Sequence, residues 1–60
     1  MALYRFYFLD GTNRIQETEE HVFAHDKDAI DNGTATCARH GRDVLEVWQA
    51  ARLVHRQKMI

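Results

Sequence analysis

Tyr4, Phe6, Tyr7 and Phe8 all fall in the run Leu3–Leu9, which stops at Asp10-Gly11; the whole chain has three Phe, two Tyr and one Trp. A run so rich in aromatic side chains reads as a β-strand. Alternation along a strand sends Tyr4, Phe6 and Phe8 to one face and Leu3, Arg5, Tyr7 and Leu9 to the other. The wholly aromatic set has to be covered, so it marks the core face. Asp10-Gly11-Thr12-Asn13 supplies residues that tolerate positive φ, as a hairpin turn requires. A second strand is therefore expected from about Arg14 to Phe23. It is more polar than the first, which suits an edge, where charged side chains discourage pairing with stray chains.

Length limits what such a hairpin can become. Sixty residues (1–60) make a single small domain. A chain of this size buries only about 60% of the surface exposed on unfolding, and its core supplies roughly 3–5 kcal/mol of net stability. The one cysteine, Cys37, allows no internal disulfide. A lone thiol without a recognisable signal peptide points to a reducing, cytoplasmic setting. No stretch of about 18 apolar residues is present to span a membrane. Self-association or a metal remain as sources of reinforcement.

Formal net charge is −1, whereas nucleic-acid binders usually carry a basic excess that neutralises phosphate. The charge is unevenly placed. Glu17, Glu19 and Glu20 cluster early, and Arg52, His55, Arg56 and Lys58 crowd the end. Such clusters are ordinarily solvated edges.

Between these clusters lies a helix, expected from Lys27 to His40. Asp26 is placed to cap its first turn, and Asp28 complements the positive end of its dipole. Gly41 is placed to end it in the left-handed conformation, with Arg39 and His40 in the last turn. Spacings of three and four put Ile30, Gly33, Thr34, Cys37 and Gly41 on one face. Asn32, Gly33, Thr34 and Thr36 give the helix poor intrinsic propensity, so packing has to hold it. Gly33 on the buried face would let it lie close to a sheet.

The segment Asp43–Lys58 fits two structures. As a helix, Asp43 and Glu46 have capping-box spacing, and Val44, Val47, Trp48, Ala51 and Val54 form a stripe. As a hairpin, Val44–Trp48 and Arg52–Arg56 flank Gln49-Ala50-Ala51. Val, Leu and Trp favour strands, but the turn has no glycine.

Tyr4–Asp10, Asp26–Ile30 and Glu46-Val-Trp-Gln-Ala-Ala-Arg-Leu-Val54 together resemble a group of small alphaproteobacterial proteins, typical of rhizobia, that form a domain of unknown function. Their pattern opens with a Tyr-Arg-Phe-Tyr-Phe-Leu-Asp-like strand and closes with Glu-Val-Trp-x-Gly-x-Arg-x-Val. The resemblance covers nearly the whole chain, with Ala50 standing where the pattern has Gly. It implies strand–strand–helix–strand–strand and brings no activity with it. The expected fold is thus α+β (ββαββ), a mainly antiparallel four-stranded sheet in the order 2-1-3-4 with one helix on one face.

One helix covers one face of such a sheet, and an antiparallel sheet can leave the other face wet. Tyr4, Phe6, Phe8, Leu45 and Val47 are expected to face the helix. Arg5, Tyr7, Glu46 and Trp48, joined by Arg52, are expected on the open face. Tyr, Trp and Arg dominate binding hot spots, so Arg5, Tyr7, Trp48 and Arg52 are the candidate interaction residues. The expected role is a small non-enzymatic interaction module that pairs with itself as a homodimer, with another protein as a further possible partner. Single-stranded nucleic acid, stacking on Tyr7 and Trp48, is one alternative. A small metal-binding protein is another, because Cys37 and His40 are three apart and His21 and His25 four apart. The same residues have plainer explanations: Cys37 as a small hydrophobe on the buried helix face, and His40 as a complement to the helix end. The chain has no serine. A Cys37 thiolate near a helix C-terminus is disfavoured. Gly11, Gly33 and Gly41 are too dispersed for a phosphate loop. No enzyme activity, catalytic residue or cofactor is expected.

Overall fold

A computed structural model describes residues 1–59. Five elements follow in order: β1 (Ala2–Leu9), β2 (Ile15–Phe23), α1 (Asp26–Arg39), β3 (Val44–Gln49) and β4 (Arg52–Lys58). The strands form one sheet in the order β2-β1-β3-β4, with every neighbouring pair antiparallel. The fold is α+β, and the segment from Asp43 onward is a hairpin and not a second helix. Aromatic β1 lies inside the sheet, while acidic β2 and basic β4 form its edges. No helix among the described residues is long and apolar enough to cross a membrane.

Direct cross-strand partners share a face, so the register sorts the side chains. Glu19, Phe6, Val47 and His55 form one row facing α1, and Glu17, Phe8, Leu45 and Gln57 the next. Phe6, Phe8, Leu45 and Val47 are fully buried beneath the helix, with Tyr4, Ala29 and Cys37 completing the cluster. The rings pack edge-on or offset: Phe6 stands 6.1 Å from Phe8 and 6.0 Å from Phe23, between ring centroids. Such aromatic pairs add about 0.5–1.5 kcal/mol beyond the area they bury.

The helix lies close to the sheet because of Gly33. A Cβ there would come within 3.3 Å of both Phe6 and Leu45. Ala29, Gly33, Thr36 and Cys37 are its buried residues. Ile30 and Thr34, expected on this face, are only half-buried, and Gly41 is exposed. The buried stripe is thus turned from the expected one, and small residues sit where the helix meets the aromatic floor.

The helix ends behave differently. At the C-terminus Gly41 takes φ +66°. The amide of Arg42 donates to the Cys37 carbonyl (3.1 Å) and that of Gly41 to the Ala38 carbonyl (3.1 Å). This is the Schellman arrangement, and it satisfies carbonyls the helix would otherwise leave open. At the N-terminus the expected cap is corrected. His25 occupies the cap position and makes no side-chain capping bond. Asp26 is the first helical residue, and its carboxylate is taken by Tyr4 and Arg52.

Both edge strands carry an extra residue. Phe8 pairs with Glu17 and Leu9 with Ile15, leaving Gln16 as a bulge in β2; Val47 pairs with His55 and Trp48 with Leu53, leaving Val54 as a bulge in β4. The β3–β4 turn is Ala50-Ala51, and Ala50 is forced to φ 52°. Left-handed backbone costs an L-residue with a Cβ roughly 1–2 kcal/mol. Two substitutions at positive φ should therefore move stability in opposite directions. Ala50→Gly is expected to raise unfolding free energy by about 1 kcal/mol and Gly41→Ala to lower it by about the same. Urea unfolding followed by circular dichroism checks both; equal signs would contradict the backbone argument.

Candidate interaction face

The face turned away from α1 is built as a grid. Val22 lies beside Leu3. The next row is Glu20, Arg5, Trp48, Leu53; the next is Thr18, Tyr7, Glu46, Arg56; the last is Ile15, Leu9, Val44, Lys58. Arg5, Tyr7 and Trp48 thus come together as expected. Leu3, Arg5, Tyr7, Glu20, Glu46 and Trp48, with Ile15 and Ala50, line a shallow groove of about 410 Å3.

The polar groups of this face are engaged with one another. The Arg5 Nε donates to Glu20 Oε2 at 3.0 Å, and Arg5 Nη1 donates to the Tyr7 hydroxyl at 3.3 Å. The Trp48 indole N–H donates to Glu46 Oε1 (2.9 Å), while Arg56 Nε donates to Glu46 Oε2 (3.1 Å). Arg56 also reaches Asn13 Oδ1 in the first turn, at 2.8 Å. Each guanidinium is flanked by a carboxylate, so the aromatic side chains are held in place by neutralised pairs. The hydrogen bonds to Tyr7 and Glu20 push the Arg5 pKa further up, so Arg5 stays charged.

Between these pairs the surface is apolar. Leu3 (53%), Ile15 (57%), Val22 (55%) and Leu53 (45%) are exposed, and the register places all four on this face. Apart from the terminal Met1, they are the exposed large hydrophobic residues among those described. Scattered single exposed hydrophobes are ordinary; that all of these share one face makes it the candidate interaction face. Leu3 could be assigned to this side from the strand alternation. Leu53 could not, because its side depends on the Val54 bulge.

Arg52 is not on this face. Gln49 and Arg52 pair on the helix side of the turn. Its guanidinium forks onto Asp26, Nη1 to Oδ2 at 3.1 Å and Nη2 to Oδ1 at 3.0 Å, where the Tyr4 hydroxyl also donates (2.6 Å). The expectation that Arg52 joins the interaction residues is corrected: it ties β4 to the start of α1. Arg52, followed by Tyr4, draws the Asp26 carboxyl below its ordinary range. A similar node stands at the other end of the helix. Glu17 accepts from Arg42 Nε at 2.8 Å and faces His40 Nδ1 at 3.3 Å, and Arg42 is the first cause holding its carboxyl low.

The four side chains considered for metal do not converge. Cys37 is buried and its Sγ–H points to the Arg42 carbonyl at 3.7 Å. Burial, with Asp43 adding to it, pushes the thiol pKa up. His40 leans on Phe8 and Glu17, His21 on Phe6 and Glu19, and His25 sits at the helix start. Among the described residues no group of three or more His, Cys, Asp or Glu side chains could hold one ion. No buried side-chain nitrogen or oxygen among them lacks a hydrogen-bond partner. Comparison with protein-family models, with curated proteins and with solved structures finds no match to the chain.

The two carboxylate nodes set the acid response. Both folded pKa values lie below the ordinary 3.8 of Asp26 and 4.5 of Glu17. A depressed carboxylate pKa stabilises the fold above its ordinary range, and that contribution is lost as pH falls through the folded value. Asp26→Asn and Glu17→Gln are each expected to lower the urea midpoint at neutral pH. Their curves should converge on wild type as pH falls below the ordinary carboxylate range. Parallel curves across the whole pH range would contradict this assignment.

Proposed function

We propose that the protein is a small, non-enzymatic interaction module that pairs with a second copy of itself through the sheet face opposite α1. The observation that carries this reading is the gathering of Leu3, Ile15, Val22 and Leu53, all exposed, around a groove floored by Tyr7 and Trp48. Leaving these apolar side chains in water forgoes stabilisation that a small core can ill spare; contact with another surface recovers about 25 cal/mol for each Å2 of apolar area buried. Tyr and Trp supply large, stiff contact surfaces, and Arg5 offers a planar cation beside them. The face suits protein better than single-stranded nucleic acid, because Arg5 and Arg56 are each paired with a carboxylate beside them and so have less charge to offer phosphate. The single, buried Cys37 fits a module working in the reducing cytoplasm.

Sedimentation equilibrium over a wide concentration range tests the reading. Wild type is expected to form a reversible dimer, and Trp48→Ala to weaken it by about tenfold or more, as removal of a central aromatic does. Trp48 is only half-buried, so the variant should keep its fold, which circular dichroism checks. A wild type that stays strictly monomeric at the highest concentration would sink the proposal.

A further inference from the structure

We propose that two copies of the chain exchange β4. The β3–β4 turn opens, and each copy lays its β4 beside the β3 of the other. Leu53 and Arg56 then complete the open face of the copy they have joined. The exchange needs no contact between open faces, so it stands apart from the pairing proposed above.

The two hairpins of the sheet are closed by unlike turns. The first is held by its own residues. Asp10 Oδ1 accepts from the Thr12 amide (2.8 Å) and the Arg14 amide (3.1 Å), and Asp10 Oδ2 accepts from Gln16 Nε2 (3.0 Å). The Asn13 amide donates to the Asp10 carbonyl at 3.0 Å. Positive φ in that turn, 65°, falls on Asn13, a residue type that tolerates it. The second turn has only Ala50 and Ala51, whose methyl groups make no hydrogen bonds. Its positive φ, 52°, falls on Ala50, at the first central position, where a two-residue turn of this kind takes glycine. What holds it shut comes from beyond the turn, in the bonds from Arg52 to Gln49 and to Asp26. A short hinge under strain invites exchange of the element it carries. Extending the hinge returns Ala50 to negative φ in both copies.

β4 is also a strand that can be exchanged whole. It stands at the sheet edge with only β3 beside it, and none of its side chains is fully buried. Its contacts go to parts of the chain that stay together: Arg52 to Asp26, Gln57 to Thr34, and Arg56 to Glu46 and Asn13. A second copy's β4 in the same register remakes each of them. The closed and exchanged forms therefore share these contacts. They differ at the hinge, which the exchanged form relaxes, and in the entropy of association, which rising concentration offsets.

Cross-linking on the helix side reads the exchange directly. Thr34 Oγ1 and Gln57 Oε1 lie 3.4 Å apart between α1 and β4, away from the open face. Thr34→Cys and Gln57→Cys are made as separate chains, refolded together at high concentration, and then treated with a short thiol-specific cross-linker; Cys37 is buried and stays out of reach. The two substitutions in one dilute chain are the control, expected to link within that chain. The expected result for the mixture is a covalent pair holding one chain of each variant, identified by mass. Ala50→Gly should raise the dissociation constant of the exchanged pair, measured by sedimentation velocity, by about tenfold or more, because it relieves the closed turn in both copies. Ala50→Pro should favour the pair, because proline cannot take positive φ and bars the closed turn. If the control links within its chain and the mixture gives no mixed pair, exchange does not occur and the inference fails; a sedimenting dimer in that case leaves face pairing standing. A mixed pair that Ala50→Gly does not weaken, or that Ala50→Pro abolishes, puts the hinge elsewhere and also overturns it. A mixed pair from a protein whose dimer is unchanged by Trp48→Ala supports exchange and counts against face pairing alone.

Discussion

The structure depends on the division of β1 into two unlike faces. Tyr4, Phe6 and Phe8 need cover, and among the described residues one fourteen-residue helix provides it. Covering them uses the helix completely, because Gly33 must approach Phe6 and Leu45 so closely that no second layer of side chains fits between. The opposite side of the same strand, Leu3, Arg5, Tyr7 and Leu9, therefore has to be managed without a layer of its own. Arg5 is neutralised by Glu20, Tyr7 is bonded by Arg5, and Leu9 is buried beside Val44. Leu3 has no such answer and stays exposed.

The ion pairs follow the same division. Two of them fix α1 to the sheet: Arg52 and Tyr4 hold Asp26 at its start, and Arg42 and His40 hold Glu17 near its end. These are partly exposed pairs, so each adds little on its own, but together they anchor both ends of a helix whose intrinsic propensity is poor. Drawing Arg52 to the helix side has a consequence for the other face. The chain then steps through Val54, which packs toward the core, and the bulge presents Leu53 beside Trp48 on the open face. A basic residue is thereby replaced by an apolar one at the rim of the groove.

The features legible in the sequence were those with a local cause. Alternation in Leu3–Leu9 assigns the core face without reference to the rest of the chain. Asp10-Gly11 and the polar strand after it locate the hairpin, and Gly41 ends the helix because left-handed backbone favours glycine. Other features turn on tertiary partners that are far apart in sequence. Asp26 has the chemistry of a cap, yet Tyr4 and Arg52 outcompete the backbone amides for its carboxylate. The side on which Arg52 lies depends on a bulge, and a one-residue shift in a strand reverses every side chain beyond it. Asp43–Lys58 fits helix and hairpin spacing equally until β1 is there to pair with. Ala50 at positive φ is a case where the local signal for the turn was absent and long-range pairing imposed it.

Cys37 is sealed in the core with its thiol pKa raised; His21 and His40 lean on different phenylalanines, His25 stands at the helix start and His55 bonds Gln57. What the fold does present is a surface whose charges are satisfied and whose hydrophobes are not. Satisfied charges hold the aromatics rigid, so little side-chain entropy remains to be lost on docking. Unsatisfied hydrophobes give docking a driving force. Anything that bound the open face of the folded chain alone would favour that fold by mass action.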